Sequence, residues 1–181
     1  QLKYKIIGRG SNCVFPDHHM HGMIIKISNV LDYLEINEAE IIVGAGCSLI
    51  KLSKHLSKLG YEGLEFAGGI PGSVGGATVM NAGAHLHSMA DIIAHVKVIN
   101  KDDEIITLSN EQCQFAYRSS IFQHQHAIIV EVALKMHKSD DDAYIFKKMA
   151  GNLAYRQEMQ PLDLPSCGST FRNPDNNHAG K

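Results

Sequence analysis

The sequence predicts an α+β fold, and three observations carry that reading. Short β-branched or aromatic runs recur at residues 4–7, 23–27, 33–36 and 41–43, and again at 92–99, 104–108 and 127–137. Gly, Asn and polar residues punctuate them, as they do successive short strands. Only two segments, 48–59 and 139–158, space their apolar residues as a helix does.

In the first helix Leu49, Leu52, Leu56 and Leu59 recur on one face, Ser48 is placed to cap, and Gly60 suits the left-handed position after the last turn. The runs at 92–99 and 104–108 read as a hairpin closed by Asn100-Lys101-Asp102-Asp103. Ser109 and Gln112 have the spacing of a capping box for one short helical turn. In the last helix Ile145, Met149 and Leu153 share a face, and Asp140, Asp141 and Asp142 stand in the first turn, where the helix dipole favours negative charge. The one boundary lies at 159–165, where Pro161 and Pro165 hold the chain extended.

Composition narrows the function. With 44% apolar residues the 181-residue chain can bury one substantial core or two small ones. A formal charge of −2, with Lys and Arg spread rather than clustered, argues against a nucleic-acid partner. No apolar run approaches the roughly 20 residues that span a bilayer, and residues 1–5 are not the start of a signal peptide. A cytoplasmic protein without a membrane partner is expected. Cys13, Cys47, Cys113 and Cys167 are too dispersed for a metal clamp or a disulfide framework and read as free thiols. The histidines, His18, His19, His21, His124 and His126 among them, sit in polar text without ligand spacing, so no metal site is expected. The chain starts at Gln1 and stops just past a dense polar motif, which reads as a piece of a longer protein.

Two glycine-bearing segments carry the chemistry. Gly68, Gly69, Gly72, Gly75, Gly76 and Gly83 crowd into one stretch, which cannot be helix or strand throughout. Such a stretch either lets backbone N–H groups wrap a pyrophosphate or makes a set of tight turns. Gly8-Arg9-Gly10-Ser11-Asn12 follows a strand and begins like a dinucleotide fingerprint, but Cys13 takes the third glycine position and Val14-Phe15-Pro16 opens no helix. What remains is a polar turn whose Ser11 and Asn12 can donate to phosphate or ribose.

Taken in order, Gly10-Ser11-Asn12, Val43-Gly44-Ala45-Gly46, Gly63-Leu64-Glu65-Phe66, Gly69-Ile70-Pro71-Gly72-Ser73-Val74-Gly75-Gly76 and Asn81-Ala82-Gly83-Ala84 resemble the UDP-N-acetylenolpyruvoylglucosamine reductase (MurB) family. Tyr117-Arg118-Ser119-Ser120-Ile121-Phe122, Gln160-Pro161-Leu162 and Pro165-Ser166-Cys167-Gly168-Ser169-Thr170-Phe171-Arg172-Asn173-Pro174 are similar to that family's two active-site motifs, and the resemblance covers nearly the whole chain.

The resemblance implies an FAD-binding domain of the vanillyl-alcohol-oxidase (PCMH) type, with two α+β subdomains over residues 1–159 and the start of a MurB substrate-binding domain over 160–181. FAD would be held noncovalently by Gly10, Ser11, Asn12, Gly68, Gly69, Ile70, Pro71, Gly72, Ser73, Gly75, Gly76, Asn81, Ala82 and Gly83. NADPH would be the reductant, UDP-N-acetylglucosamine enolpyruvate the substrate and UDP-N-acetylmuramate, a peptidoglycan precursor, the product of a monomeric enzyme. Arg118 matches the arginine that polarises the substrate carboxylate and Ser169 the proton donor, while Tyr117 and Arg172 are candidates for substrate or cofactor contacts. Another flavin oxidoreductase of the same fold, or a non-catalytic flavin-binding remnant, are the alternatives. Three departures stand out: the family's C-terminal glutamate has no counterpart, His85-Leu86-His87-Ser88 replaces a Tyr followed by a Gly pair, and Met159 replaces a basic residue.

Overall fold

The structure, a computed structural model, describes residues 3–27, 29–160, 163–164 and 168–179. Pro161, Leu162, Pro165, Ser166 and Cys167, which carry part of the reductase resemblance and of the boundary reading, lie outside them.

The chain opens with β1 (Tyr4–Ile7) and β2 (Met23–Lys26), which pair in parallel as a small sheet of their own. There follow β3 (Leu34–Ile36), β4 (Ile41–Gly44), helix α1 (Leu49–Lys58), the short β5 (Tyr61–Glu62), a 3-10 turn at Glu65–Gly69 and helix α2 (Val74–Val79). The hairpin β6 (Gly83–Ala84) and β7 (His87–Ser88) leads into β8 (Ile93–Ile99) and β9 (Ile105–Ser109). The described chain continues with β10 (Ile128–Leu134), β11 (His137–Lys138) and helix α3 (Asp142–Met159). The main sheet has the order β3-β4-β10-β8-β9, every neighbouring pair antiparallel, with β10 bulged against β8.

Burial explains the order. All four residues of β4 are buried, as are Val132 to Leu134 on β10, which puts these two strands at the centre. Leu49, Leu52 and Leu56 of α1 pack on this sheet with Val74 and Ala77 of α2. Each such leucine contributes about 1.5–3 kcal/mol on burial. Leu59, the fourth of the predicted stripe, is exposed, because Gly60 (φ 79°) turns the chain away one residue later.

On the part-buried side, Tyr33 and Lys97 both donate to the Glu131 carboxylate. Burial alone would raise the Glu131 carboxyl, but these two hydrogen bonds and the positive charge of Lys97 hold it below its usual range. Tyr33 is pushed up to about 12 by burial and by its carboxylate partner. Cys13, Cys47 and Cys113 are free. Burial raises Cys47 to about 12 and Cys113 to about 11, so neither is a reactive thiolate.

The structure corrects the sequence reading in several places. Ser48 occupies the cap position of α1 but its side chain makes no capping hydrogen bond. The glycine-rich stretch contains a third helix, α2, capped by Ser73, whose hydroxyl accepts the Gly76 N–H. The final helix starts at Asp142 rather than at Ser139, with Asp141 outside it as the cap that accepts from Tyr144 N–H. Its predicted apolar face is buried only at Ile145, and Leu153 is exposed where the helix passes beyond the core. The single strand expected over 127–137 divides, since β11 leaves the main sheet to pair with β5. The capping box of Ser109 and Gln112 forms as expected, with both reciprocal hydrogen bonds in place.

Candidate flavin and substrate site

Two glycine-bearing turns meet. Ser11 Oγ donates to the Pro71 carbonyl at 2.8 Å, joining the turn after β1 to the turn before α2. A Cβ at Gly8 would overlap Ser73 Oγ, so the approach is as close as side-chain-free backbone permits. Over Gly10, at φ 75°, nothing stands within 4 Å. The amides of Gly10, Ser11 and Asn12 donate to no backbone carbonyl among the described residues. Exposed donors around open space are what a pyrophosphate needs, and the residues present fit that part of FAD.

The other predicted contacts divide by burial. Gly68, Gly69, Ile70, Pro71, Gly72, Gly76, Ala82 and Gly83 keep some solvent access. Ser73, Gly75 and Asn81 are buried and committed within the fold. Gly75 N–H donates to the Ala45 carbonyl, and Asn81 uses both ends of its amide, accepting from Ala90 N–H and donating to the Ala116 carbonyl, each at 2.9 Å. These three hold the shape of the cradle rather than offer side chains to a ligand.

A cavity of about 540 Å³ opens beside the same stretch, between Gly68–Ile70, the β6–β7 turn and the second half of α3. That volume lies within the range of roughly 300–1,000 Å³ usual for small-molecule sites. Phe66, Ile70 and Met149 supply its apolar wall, and Lys54 and Arg156 its positive charge. Arg156 packs over Gly69, where a Cβ would stand 2.9 Å from Nη1 and the flexible guanidinium would have to shift. At its floor the 2% exposed Glu65 pairs with Lys148 at 3.5 Å, and at its rim the rings of His85 and Tyr155 meet edge to face at 5.6 Å. Gln160 also lines it, with a buried Oε1 that has no hydrogen-bond partner.

The rim is strained. Ala84 pairs with His87, leaving His85 (φ 52°) and Leu86 (φ 66°) as a two-residue turn with both residues left-handed. Gly and Asn take such positions without penalty, whereas Leu pays about 1–2 kcal/mol. Leu86 is fully exposed, so no packing compensates. Leu86→Gly is expected to raise stability by about 0.5–1 kcal/mol, the relieved strain less the chain freedom glycine adds to the unfolded state. A urea unfolding midpoint that falls instead would contradict this.

Arg118 is also left-handed (φ 53°) and half-buried. It stands in a tight turn closed by reciprocal bonds between Ala116 and Ser119, each 3.1 Å. Its Nη2 donates to the Gly83 carbonyl at 2.6 Å, and its guanidinium lies 5.1 Å from the Tyr117 ring centroid. The arginine therefore reaches from its own turn to the end of the glycine-rich stretch. Arg172 reaches the same place, donating to the Arg118 carbonyl at 3.0 Å. Ser169 is exposed, and no hydrogen bond joins it to Arg118.

Comparison with known proteins decides what the cradle belongs to. A family model described as FAD binding domain matches residues 1–109. The chain belongs to the FAD-binding domain family. The FAD-binding chain is 44% identical to a UDP-N-acetylenolpyruvoylglucosamine reductase of Bacillus pumilus, across 100% of its own length and 60% of that protein. It is 45% identical to the enzyme of the same name from Anoxybacillus flavithermus, across 99% and 60%. Among solved structures it is similar to the MurB of Thermus caldophilus, with TM-score 0.88, 31% identity and coverage of 99% of this chain and 65% of that one. A cholesterol oxidase of Brevibacterium sterolicum shares the fold alone, with TM-score 0.53 and 17% identity over 75% of this chain and 30% of that one. The expected PCMH-type fold and the reductase resemblance are thus borne out, and the chain spans about 60% of the length of the curated relatives it matches.

Sequence reasoning missed Arg156 and Lys54 as cavity residues, whereas Gln160 stood in a resembling motif and His85 in a departure from one. Arg156, three residues before Met159 in the last turn of α3, had a signal in the expected basic residue near Gln-Pro. Among the described residues no group of His, Cys, Asp or Glu has the arrangement of a metal site, and no helix is long and apolar enough to cross a membrane.

Proposed function

We propose that the chain carries the flavin-binding part of a UDP-N-acetylenolpyruvoylglucosamine reductase, a cytoplasmic, monomeric enzyme that uses noncovalent FAD and NADPH. Residues 1–159 form the flavin-binding unit and 160–181 begin the substrate-binding one. The observation that carries this reading is the Arg118 guanidinium, held against Gly83 at the end of the stretch that lines the flavin cradle.

FAD, held at Gly10, Ser11 and Asn12, would supply the two-electron chemistry between NADPH and the enolpyruvyl double bond of UDP-N-acetylglucosamine enolpyruvate. Reduction at the carbon remote from the carboxylate builds negative charge on the carboxylate and its neighbouring carbon. Arg118 meets that charge with a planar fork of donors, of which the bond to Gly83 occupies one. The left-handed backbone at Arg118 costs stability, and a costly conformation held by several hydrogen bonds suits a residue whose direction matters. Ser169 donates its hydroxyl proton to the carbon beside the carboxylate, completing UDP-N-acetylmuramate. Tyr117, 54% exposed beside Arg118, offers an aromatic face to the substrate. Arg172 braces the Arg118 turn from the other side. At the cavity, Arg156 and Lys54 supply positive charge for the substrate's phosphates.

The test is anaerobic NADPH oxidation by the full reading frame, with the product identified by mass. Oxidation that depends on the enolpyruvyl substrate and yields UDP-N-acetylmuramate supports the reading. Oxidation unaffected by that substrate refutes it.

A further inference from the structure

Arg118 sits in a left-handed conformation, and the Nη2 bond to Gly83 anchors only the far end of its side chain. A non-glycine residue at φ 53° in the corner of a four-residue turn takes the place that turns usually give to Gly or Asn. Something outside the turn has to select this geometry.

Gln123 does so from the 3-10 turn at Ile121–Gln123. Its Nε2 donates to the Arg118 carbonyl at 3.0 Å and to the Val79 carbonyl at 3.2 Å, and touches Met80 Sδ at 3.4 Å. Val79 is the last residue of α2, the helix inside the glycine-rich stretch. One amide group thus ties the end of the flavin cradle to the backbone of the arginine. Ser120 Oγ adds a second donor to Val79 at 2.7 Å, and Asn81 pins Ala116 on the far side of the turn. Asn81 and Ser120 reach the flanks, while among these three only Gln123 touches the Arg118 residue itself.

We infer that Gln123 is a positioning residue, which sets the direction of the Arg118 guanidinium relative to the flavin cradle. The inference rests on the role proposed for Arg118. Loss of the Gln123 N–H groups leaves the Arg118 carbonyl, among the described residues, to the bond from the exposed Arg172, so the carbonyl turns more readily toward ordinary right-handed geometry and the guanidinium turns with it. Binding of FAD to Gly10–Asn12 and its reduction by NADPH do not pass through this contact. Reduction of the enolpyruvyl substrate does.

The test uses Gln123→Met, which keeps the volume and removes both donors, in the holoenzyme from the full reading frame. kcat/KM for the enolpyruvyl substrate is expected to fall by about tenfold or more, since misdirecting a substrate-binding group by an ångström is costly. The rate at which NADPH bleaches the bound FAD is expected to stay within about twofold of the parent, which a general structural defect would not allow. In an Arg118→Ala background the same change is expected to add less than about twofold, because the group it positions is gone. Equal losses in both half-reactions, or a full multiplicative loss on top of Arg118→Ala, would overturn the inference. An inactive Arg118→Ala enzyme beside a fully active Gln123→Met enzyme overturns it alone. A fully active Arg118→Ala enzyme removes the role of Arg118 and the inference with it.

Discussion

Arg118→Ala is expected to cut turnover of the enolpyruvyl substrate by about 10²- to 10³-fold, the usual cost of removing a donor aimed at developing negative charge. The protein should remain yellow and its flavin should still be bleached by NADPH, because the turn proposed to hold the pyrophosphate, at Gly10, Ser11 and Asn12, is built without Arg118. Arg118→Lys is expected to recover little. An ammonium cannot at once keep the 2.6 Å bond to Gly83 and present a two-pronged face to a carboxylate. Single-turnover reoxidation of the reduced flavin by substrate separates the two outcomes. Normal reoxidation by the alanine variant would assign the carboxylate to another group.

The largest expected effect on stability lies at Gly44, in the buried strand β4. A Cβ there would run into the Leu31 carbonyl and stand 2.9 Å from Tyr33 Cδ1. The Leu31 carbonyl cannot simply withdraw, since it accepts the Gly46 N–H at 2.9 Å, and Gly44 N–H itself donates to the Tyr33 carbonyl at 2.9 Å. Gly44→Val is therefore expected to cost about 3 kcal/mol or more, at the upper end of overpacking losses. Chemical denaturation compared with the parent measures this. A loss below about 1 kcal/mol would show that residues 31–33 yield more readily than their hydrogen bonds imply.

What the sequence disclosed was chiefly what neighbours along the chain decide. Alternation and punctuation located β1 to β4 and the β8–β9 hairpin, and Gly60 marked the end of α1 because the residue at a left-handed position is chosen locally. Ser109 and Gln112 announced a capping box for the same reason. Partner choice over long separations was hidden. Ser48 is placed to cap in the sequence but accepts no helical N–H, whereas Ser73, read there as a flavin contact, does. Asn81 reads as a ligand contact until its amide is found spent on Ala116 and Ala90.

The site was legible through ordered motifs, which mark the residues but not their arrangement. Gly69 looks like any other glycine of its stretch, and only the structure shows Arg156 packed over it. His85 and Leu86 gave the opposite warning: their departure from a glycine-bearing motif is visible in the sequence, and the structure shows its consequence as two left-handed residues at the cavity rim. Ser169 and Arg172 lie three residues apart in one motif, but the hydrogen bond to Arg118 belongs to Arg172.

The central claim is that this cradle holds a flavin that serves the enolpyruvyl substrate. Its most direct test is an anaerobic spectral titration of the protein from the full reading frame. A visible flavin spectrum is expected, lost on adding one equivalent of NADPH and restored on adding UDP-N-acetylglucosamine enolpyruvate. A protein that binds no FAD, or a reduced flavin that stays bleached when that substrate is added, would contradict it.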